Sequence, residues 1–310
     1  MWSPSDIYEM PFGDWVDFAV KDWLVPNFRP VFQSIRIPVE WVLDGLDGFL
    51  NFVPMVVFTV VLVAIAWRAA GRGLAIFSIV SLIFLDLIGV WSETMTTLAM
   101  VTTAVFFCAL FGVPLGVMAA RSDRFLKVLR PVLDVMQTIP PFVYLVPIVM
   151  LFGVGTVPGV IATFIFALPP ITRLTNLGIR SVREDLVEAS YAFGSTPRQV
   201  LWEVQIPLAM RTIMAGLNQT LMMSLSMAVI AALIGAGGLG LTVNTGLGRL
   251  DVGLATEGGI GIVILAIILD RITQSFAERR SSTSPSLTGI LRSFFSSGKP
   301  ARPAADKQAA

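Results

Sequence analysis

Nothing limits the fold of this 310-residue chain more than its repeated apolar stretches of membrane-crossing length. A hydrocarbon core about 30 Å thick takes roughly 20 apolar residues per helix. Seven stretches meet that measure, near 49–67, 73–91, 95–119, 133–153, 156–174, 209–235 and 252–270. Inside lipid the backbone finds no water to bond, so each stretch must satisfy its own N–H and C=O groups as a helix. The expected fold is therefore an all-α polytopic membrane protein of about seven transmembrane helices. Composition agrees: 55% hydrophobic residues, 14% charged residues and a mean hydropathy of +0.78 are too apolar for a soluble domain. The fourth and fifth stretches are punctuated by Pro140, Pro141, Pro147, Pro158, Pro169 and Pro170, which a bundle tolerates as kinks where neighbours re-satisfy freed carbonyls.

The missing residue types exclude whole chemistries. Without histidine, His-based triads, His metal sites and His proton relays are ruled out. The lone Cys108 allows no intrachain disulfide and reads as a small packing residue. Asp6, Glu9, Asp14, Asp17 and Asp22 occupy the first forty residues, which carry no basic segment followed by an apolar core, so no signal peptide is expected there.

Basic residues predict orientation. With the N-terminus outside, eighteen of the twenty-two Lys and Arg fall on the inner side and only Lys21, Arg29, Arg36 and Arg249 on the outer. The positive-inside rule then gives an N-out, C-in arrangement. Residues 1–48, with Trp2, Trp15, Trp23 and Trp41 among apolar neighbours, suit amphipathic segments at the outer interface. Residues 276–310 lie in a Ser-, Ala-, Pro- and Lys/Arg-rich stretch expected to be a disordered cytoplasmic tail. Two accessory helices (49–91) and a core (92–275) lie between them.

One polar insert interrupts the apolar pattern, at 181–207, SVREDLVEASYAFGSTPRQVLWEVQIP. Ser181 with Glu184 has capping-box spacing for a first helix, which Gly194 ends as a left-handed residue. Thr196, Pro197 and Gln199 have the cap, N1 and N3 grammar of a second helix, and the chain re-enters the apolar region through Ile206-Pro207. On the first helix Leu186, Ala189 or Ser190, and Phe193 share one face. The insert reads as a cytoplasmic docking hairpin; a helix lying at the lipid headgroups is the plain alternative.

Glu188-Ala189-Ser190, then Gly194 after three intervening residues, then Val204-Gln205-Ile206-Pro207 after nine more, resembles the EAA motif of ABC importer permeases, with Ser190, Val204 and Ile206 as conservative departures. The resemblance widens over 129–155, 166–179, 206–240 and 248–274 to the permease subunit of glycine betaine/proline betaine/choline importers. It implies a type I importer permease core in a bacterial cytoplasmic (inner) membrane. It also implies a permease homodimer among membrane lipids, a separate ATP-binding subunit and an extracytoplasmic substrate-binding protein, with no nucleic acid partner. Glu188, Ala189, Ser190, Gly194, Ile206 and Pro207 would form the contact with the ATPase. No phosphate-cradling Gly-rich loop of the form G-x-x-x-x-G-K-[ST] occurs, so this chain is not expected to be an enzyme or to hold a cofactor; Mg-ATP would sit on the partner.

Polar groups inside spans are functional candidates by default. Met214, Asn218 and Met222 stack at i, i+4, i+8 in the sixth stretch, as a soft path for a quaternary ammonium or as ordinary helix packing. The Gly235–Gly240 region is an unwound gate or a plain turn. Asp86 in the second stretch reads as a structural hydrogen bond or, in a proton-coupled carrier, a proton site. Asp134 and Arg130 suit a local ion pair. Gly112 and Gly116 with Pro114 between them mark a close helix contact or a kink. Rival functions are a permease for another small polar solute, such as taurine or an amino acid, a proton-coupled carrier, and a scaffold that transports nothing.

Overall fold

The computed structural model describes residues 11–282, and every described element is helical. In chain order these are α1 (Phe12–Asp17), a π-helical stretch (Phe18–Leu24), α2 (Val25–Phe52), α3 (Met55–Ala70), α4 (Arg72–Leu87), α5 (Trp91–Arg121), α6 (Asp123–Thr138), α7 (Pro141–Phe152) and α8 (Thr156–Arg180). There follow α9 (Glu184–Ala192), α10 (Pro197–Gln199), a second π-helical stretch (Val200–Gln205), α11 (Ile206–Ala231), a 3-10 turn (Ala232–Ile234), α12 (Leu239–Arg249) and α13 (Val252–Ser282). The first ten residues and most of the expected disordered tail lie outside the described residues.

Among the described residues four helical runs are long and apolar enough to cross a membrane: Trp91–Arg121, Thr156–Arg180, Pro197–Ile234 and Val252–Phe276. Two bent pairs raise the number to as many as six if each counts as one span, Lys21–Phe52 with Met55–Ala70 (105°) and Asp123–Thr138 with Pro141–Phe152 (98°). The seven apolar stretches thus do not translate helix for helix. α3 and α4 have 16 residues each, about 24 Å at ~1.5 Å per residue. The stretch 133–153 is not one kinked helix: Ile139 is extended before Pro140-Pro141, and α6 and α7 part at nearly a right angle.

α8 is the centre of the bundle, with α5 and α11 packed along it. Small residues permit the approach: a Cβ at Gly112 would stand 2.5 Å from Ile171 Cγ2, and one at Gly116 would stand 2.5 Å from Thr175 Cβ. Of the two readings of this pair, close contact is therefore the one observed, and α5 runs through Pro114 unbroken. On the opposite side Thr220 Oγ1 of α11 donates to the Ala167 carbonyl (3.0 Å), beside Pro169-Pro170, which leave α8 continuous. Cys108 is buried between α5 and α8 with Sγ 3.7 Å from the Phe164 carbonyl, a packing residue as expected.

One core joins α2, α5, α7, α8 and α11 through Leu43, Met95, Leu145, Phe152, Val160 and Met227. A second joins α4, α5, α11 and α13 through Leu82, Val101, Leu221, Leu265 and Ile268. α2 is more than an interfacial segment: it buries Val39, Leu43 and Leu50. Gln33 and Arg36 of α2 donate to the Leu151 and Phe152 carbonyls at the C-terminal end of α7 (both 3.2 Å). Those carbonyls belong to the last turn, which has no partner within its own helix.

The ends of the bundle differ. At one, the C-termini of α5 and α8 meet α6 and the 181–207 hairpin. Arg180 bonds Asp123 (2.6 Å) and the Ala119 carbonyl (2.8 Å), and Arg173 bonds Asp134 (2.5 Å). Asp134 was expected to pair with Arg130, a neighbour on its own helix. The bend at Pro140 lays α6 against α8 and brings Arg173 within reach instead. At the other end, the N-termini of α5 and α8 meet the turn after α11: Leu239 N–H donates to Thr97 Oγ1 (2.8 Å) and Gly155 N–H to the Ile234 carbonyl (2.9 Å).

Candidate coupling hairpin and transport path

The second arm of the hairpin follows the expected grammar closely. Thr196 Oγ1 accepts from the Gln199 N–H (3.4 Å), while Gln199 Oε1 accepts from the Thr196 N–H (2.8 Å), a complete capping box with Pro197 at the start of the helix. From Pro197 the helix continues without interruption to Ile234. Its wide turn at Val200–Gln205, where Ile206 N–H reaches back to the Leu201 carbonyl, lies just before Pro207. Proline has no N–H for the carbonyl four residues earlier and its ring crowds that carbonyl, so the local coil opens rather than breaks. Val200 (1% exposed) and Leu201 (3% exposed) are buried, the latter in a cluster with Ile179, Ala209 and Ile213. The arm is thereby fixed to α8 and α11.

The first arm differs from expectation at its start. Ser181 is not an N-cap; its hydroxyl donates to the Gly178 carbonyl (2.9 Å) and its backbone stays helical, closing α8. α9 begins at Glu184 after Arg183, which provides no side-chain cap. Arg183 instead forms a side-chain hydrogen bond to Asp185, and that bond holds the Asp185 carboxyl below the usual carboxylate range. The pair is solvent-exposed, so its contribution to stability is small.

The end of α9 is built as the sequence predicts. Gly194 adopts φ +85°, its N–H donates to the Tyr191 carbonyl (2.9 Å), and Ser195 N–H donates to the Ser190 carbonyl (3.1 Å). These are the two bonds of a Schellman cap.

No residue of α9 is buried. Glu188 and Ala189 are exposed, and Ser190 is half-buried with its hydroxyl turned back onto the Leu186 carbonyl (2.7 Å). The serine's polar group is thus spent within its own helix, consistent with its standing where the motif has alanine. Around them Leu186, Tyr191, Phe193 (91% exposed) and Trp202 (67% exposed) leave an apolar surface uncovered on an otherwise polar hairpin. Large apolar groups left exposed on both arms of one hairpin mark it as a candidate interaction surface. Ile206 packs at the edge of the Ile179 cluster, while Pro207 is exposed at the base of α11.

The candidate path residues fare unequally. Asn218 Nδ2 donates to Asp270 Oδ1 on α13 (2.7 Å), which also accepts from Gln274 (2.7 Å), so Asn218 ties two helices together. Met214 is half-buried and Met222 is 39% exposed. Asp86 does not sit deep in a span: it is exposed in the last turn of α4, because that helix is short and ends at Leu87. Asp270 was not singled out from the sequence, although an acid at the end of an apolar run is the usual signal. Glu93 and Glu257 were also missed; they line one cavity only because α5 and α13 bring together residues distant in the chain.

Comparison with known proteins accords with this geometry. Residues 112–282 match the family described as binding-protein-dependent transport system inner membrane component. The glycine betaine/proline betaine transport system permease protein ProW of Escherichia coli is 58% identical over 266 residues, 86% of this chain and 75% of that protein. The glycine betaine transport system permease protein OpuAB of Bacillus subtilis is 43% identical over 88% of this chain and 96% of its own length. The glycine betaine/carnitine transport permease protein GbuB of Listeria monocytogenes is 44% identical over 89% and 99%. An inward-facing structure of the MetNI methionine ABC transporter superposes with a TM-score of 0.52 at 24% identity, covering 63% of this chain and 94% of that one, and so shares the fold. This chain belongs to the family of inner-membrane permease components of binding-protein-dependent transport systems.

Proposed function

We propose that the chain forms the membrane path of an ATP-driven importer for quaternary ammonium compatible solutes such as glycine betaine, proline betaine or choline, powered by a separate ATPase that grips the 181–207 hairpin. The observation that carries this reading is the form of the hairpin. It is a capped, unburied tip with an apolar surface, joined through one wide helical turn to a run that continues to Ile234. Movement imposed on α9 is transmitted through the Gly194 turn to α11 and hence to the opposite end of the bundle, as a rigid element passes on a domain closure.

The solute class is supported by the relatives, whose names include glycine betaine, proline betaine and carnitine. The hairpin end gathers Arg121, Arg130, Arg173, Arg180 and Arg198, which supports a cytoplasmic tip and an N-out, C-in chain. Two copies of the chain, a nucleotide-binding ATPase and a soluble binding protein on the outer side complete the assembly. Mg-ATP is held by the ATPase, and in this chain Glu188, Ala189 and Gly194 serve contact and turn geometry. The Met214, Asn218 and Met222 face is read as path lining, with Asn218 fixed in place by Asp270. Asp86, the residue that favoured proton coupling, is exposed at a helix end, which weighs against that rival.

Phe193→Cys tests the docking surface directly. In membranes containing the whole importer, a short bifunctional reagent is expected to join this cysteine to the ATPase, and a membrane-impermeant maleimide to reach it only from the cytoplasmic side. Labelling from the outside overturns the reading.

A further inference from the structure

At the end of the bundle opposite the hairpin, a cavity of about 470 Å³ opens between the first turn of α5, the Gly237-Gly238 turn, α12 and α13. Its volume lies within the range of about 300–1,000 Å³ typical of small-molecule pockets. Two carboxylates line it, Glu93 from α5 and Glu257 from α13, and no lysine or arginine does. Among the described residues neither glutamate takes part in a salt bridge. Glu93 Oε2 is shielded from solvent and accepts no hydrogen bond. A shielded polar atom without a partner is infrequent in a native fold and calls for a physical reason.

The wall carrying Glu93 is held firmly. Thr97 Oγ1 donates to the Glu93 main-chain carbonyl (2.7 Å) and accepts from Leu239 N–H (2.8 Å), which ties the start of α5 to the start of α12. The rest of the lining alternates between hydroxyls, such as those of Thr96 and Thr242, and apolar groups, such as Val90 and Leu254. This mixture suits one kind of guest. A quaternary ammonium has no N–H to donate; its charge is spread over methyl groups that need apolar contact and a nearby negative field, without directional hydrogen bonds. Two carboxylates lining a cleft with no basic side chain among its walls focus such a field.

We infer that this cavity receives the quaternary ammonium group of the solute, with Glu93 and Glu257 as the carboxylates that attract it. The inference rests on the importer reading given above and adds to it a site and the residues that draw the cation there. A carboxylate-bearing solute then turns its acid away from the two glutamates. The same pair of glutamates repels anionic solutes of equal size.

The test uses the purified permease–ATPase complex and choline as the probe, read by saturation-transfer proton NMR of its methyl groups. The uncharged isostere 3,3-dimethylbutanol is the control. Wild type is expected to transfer saturation to choline and not to the isostere. The double variant Glu93→Gln/Glu257→Gln is expected to lose the choline signal by about tenfold. Glu257→Gln alone is expected to show a partial loss, and thermal melts report that each variant is folded. Equal transfer to choline and the isostere, or unchanged transfer in the folded double variant, overturns the inference.

A second measurement separates the rival occupants. In liposomes holding the whole importer, the double variant is expected to take up less betaine per ATP hydrolysed, while the concentration of loaded binding protein that half-stimulates ATP hydrolysis stays the same. A rise in that concentration with choline transfer intact would assign the glutamates to protein docking and overturn the inference. Loss of choline transfer on adding calcium, with sodium at equal ionic strength without effect, would assign them to a metal ion and overturn it as well. Choline transfer by a wild-type importer that moves no betaine overturns the importer reading and retains the cation site.

Discussion

At Gly194 the backbone requires φ of +85°, while a Cβ there would meet no heavy atom within 4 Å. The demand is therefore on backbone conformation alone and not on space. A β-branched residue in the left-handed region costs about 1–2 kcal/mol, whereas asparagine visits it readily. Gly194→Val is expected to leave membrane insertion intact, weaken co-purification of the ATPase and reduce betaine uptake severalfold; Gly194→Asn is expected to retain most of both. Equal loss in the two variants would show that the glycine serves something other than the turn. Asp185 bears on pH in the same hairpin. Its carboxyl is held below the ordinary carboxylate range by Arg183, so it stays ionised down to lower pH than a free aspartate. A lowered folded-state value means that the small stabilisation from this pair is present above the unfolded-state value and lost as pH falls through the folded one. The charge of Asp185 is accordingly constant across neutral pH.

Among the elements, α5 and α8 depend on glycine for their spacing. A side chain at Gly116 would meet Thr175 Cβ at 2.5 Å and the Thr172 carbonyl at 2.7 Å, and the carbonyl belongs to backbone that does not turn aside. Gly116→Leu is expected to destabilise the bundle by about 1–3 kcal/mol, the usual cost of overpacking, read as a lower melting temperature in detergent. An unchanged melt would show that the two helices separate freely.

How far sequence predicts an element follows from the range of the interactions that form it. The Thr196–Gln199 cap and the Gly194 turn depend on neighbours within a few residues, and both were legible. The start of α9 was not, because Ser181 had two helices to serve and closed the earlier one. Nor was the separation of α6 from α7: consecutive prolines allow either a kink or a break, and the chain's choice brings Asp134 to Arg173 from a distant helix. Glu93 and Glu257 share a cavity through tertiary packing alone, which no local pattern records.

For the molecule as a whole, the hairpin and the glutamate-lined cavity lie at opposite ends of one bundle, linked by the helical run Pro197–Ile234. Under the proposed reading, this separation puts the power stroke and the solute's point of arrival on different sides of the membrane. The rival carrier would instead need a titratable group inside the path. Asp86 is exposed at a helix end, so the carboxylates left to that rival are Glu93 and Glu257 in the end cavity and Asp270, which is engaged by Asn218 and Gln274. The decisive measurement is uptake of radiolabelled glycine betaine into liposomes containing this chain and its binding protein, with and without the ATPase and ATP and with the proton gradient collapsed. The account predicts uptake only when both ATPase and ATP are present, undiminished by loss of the gradient; uptake without the ATPase, or uptake abolished by collapsing the gradient, would contradict it.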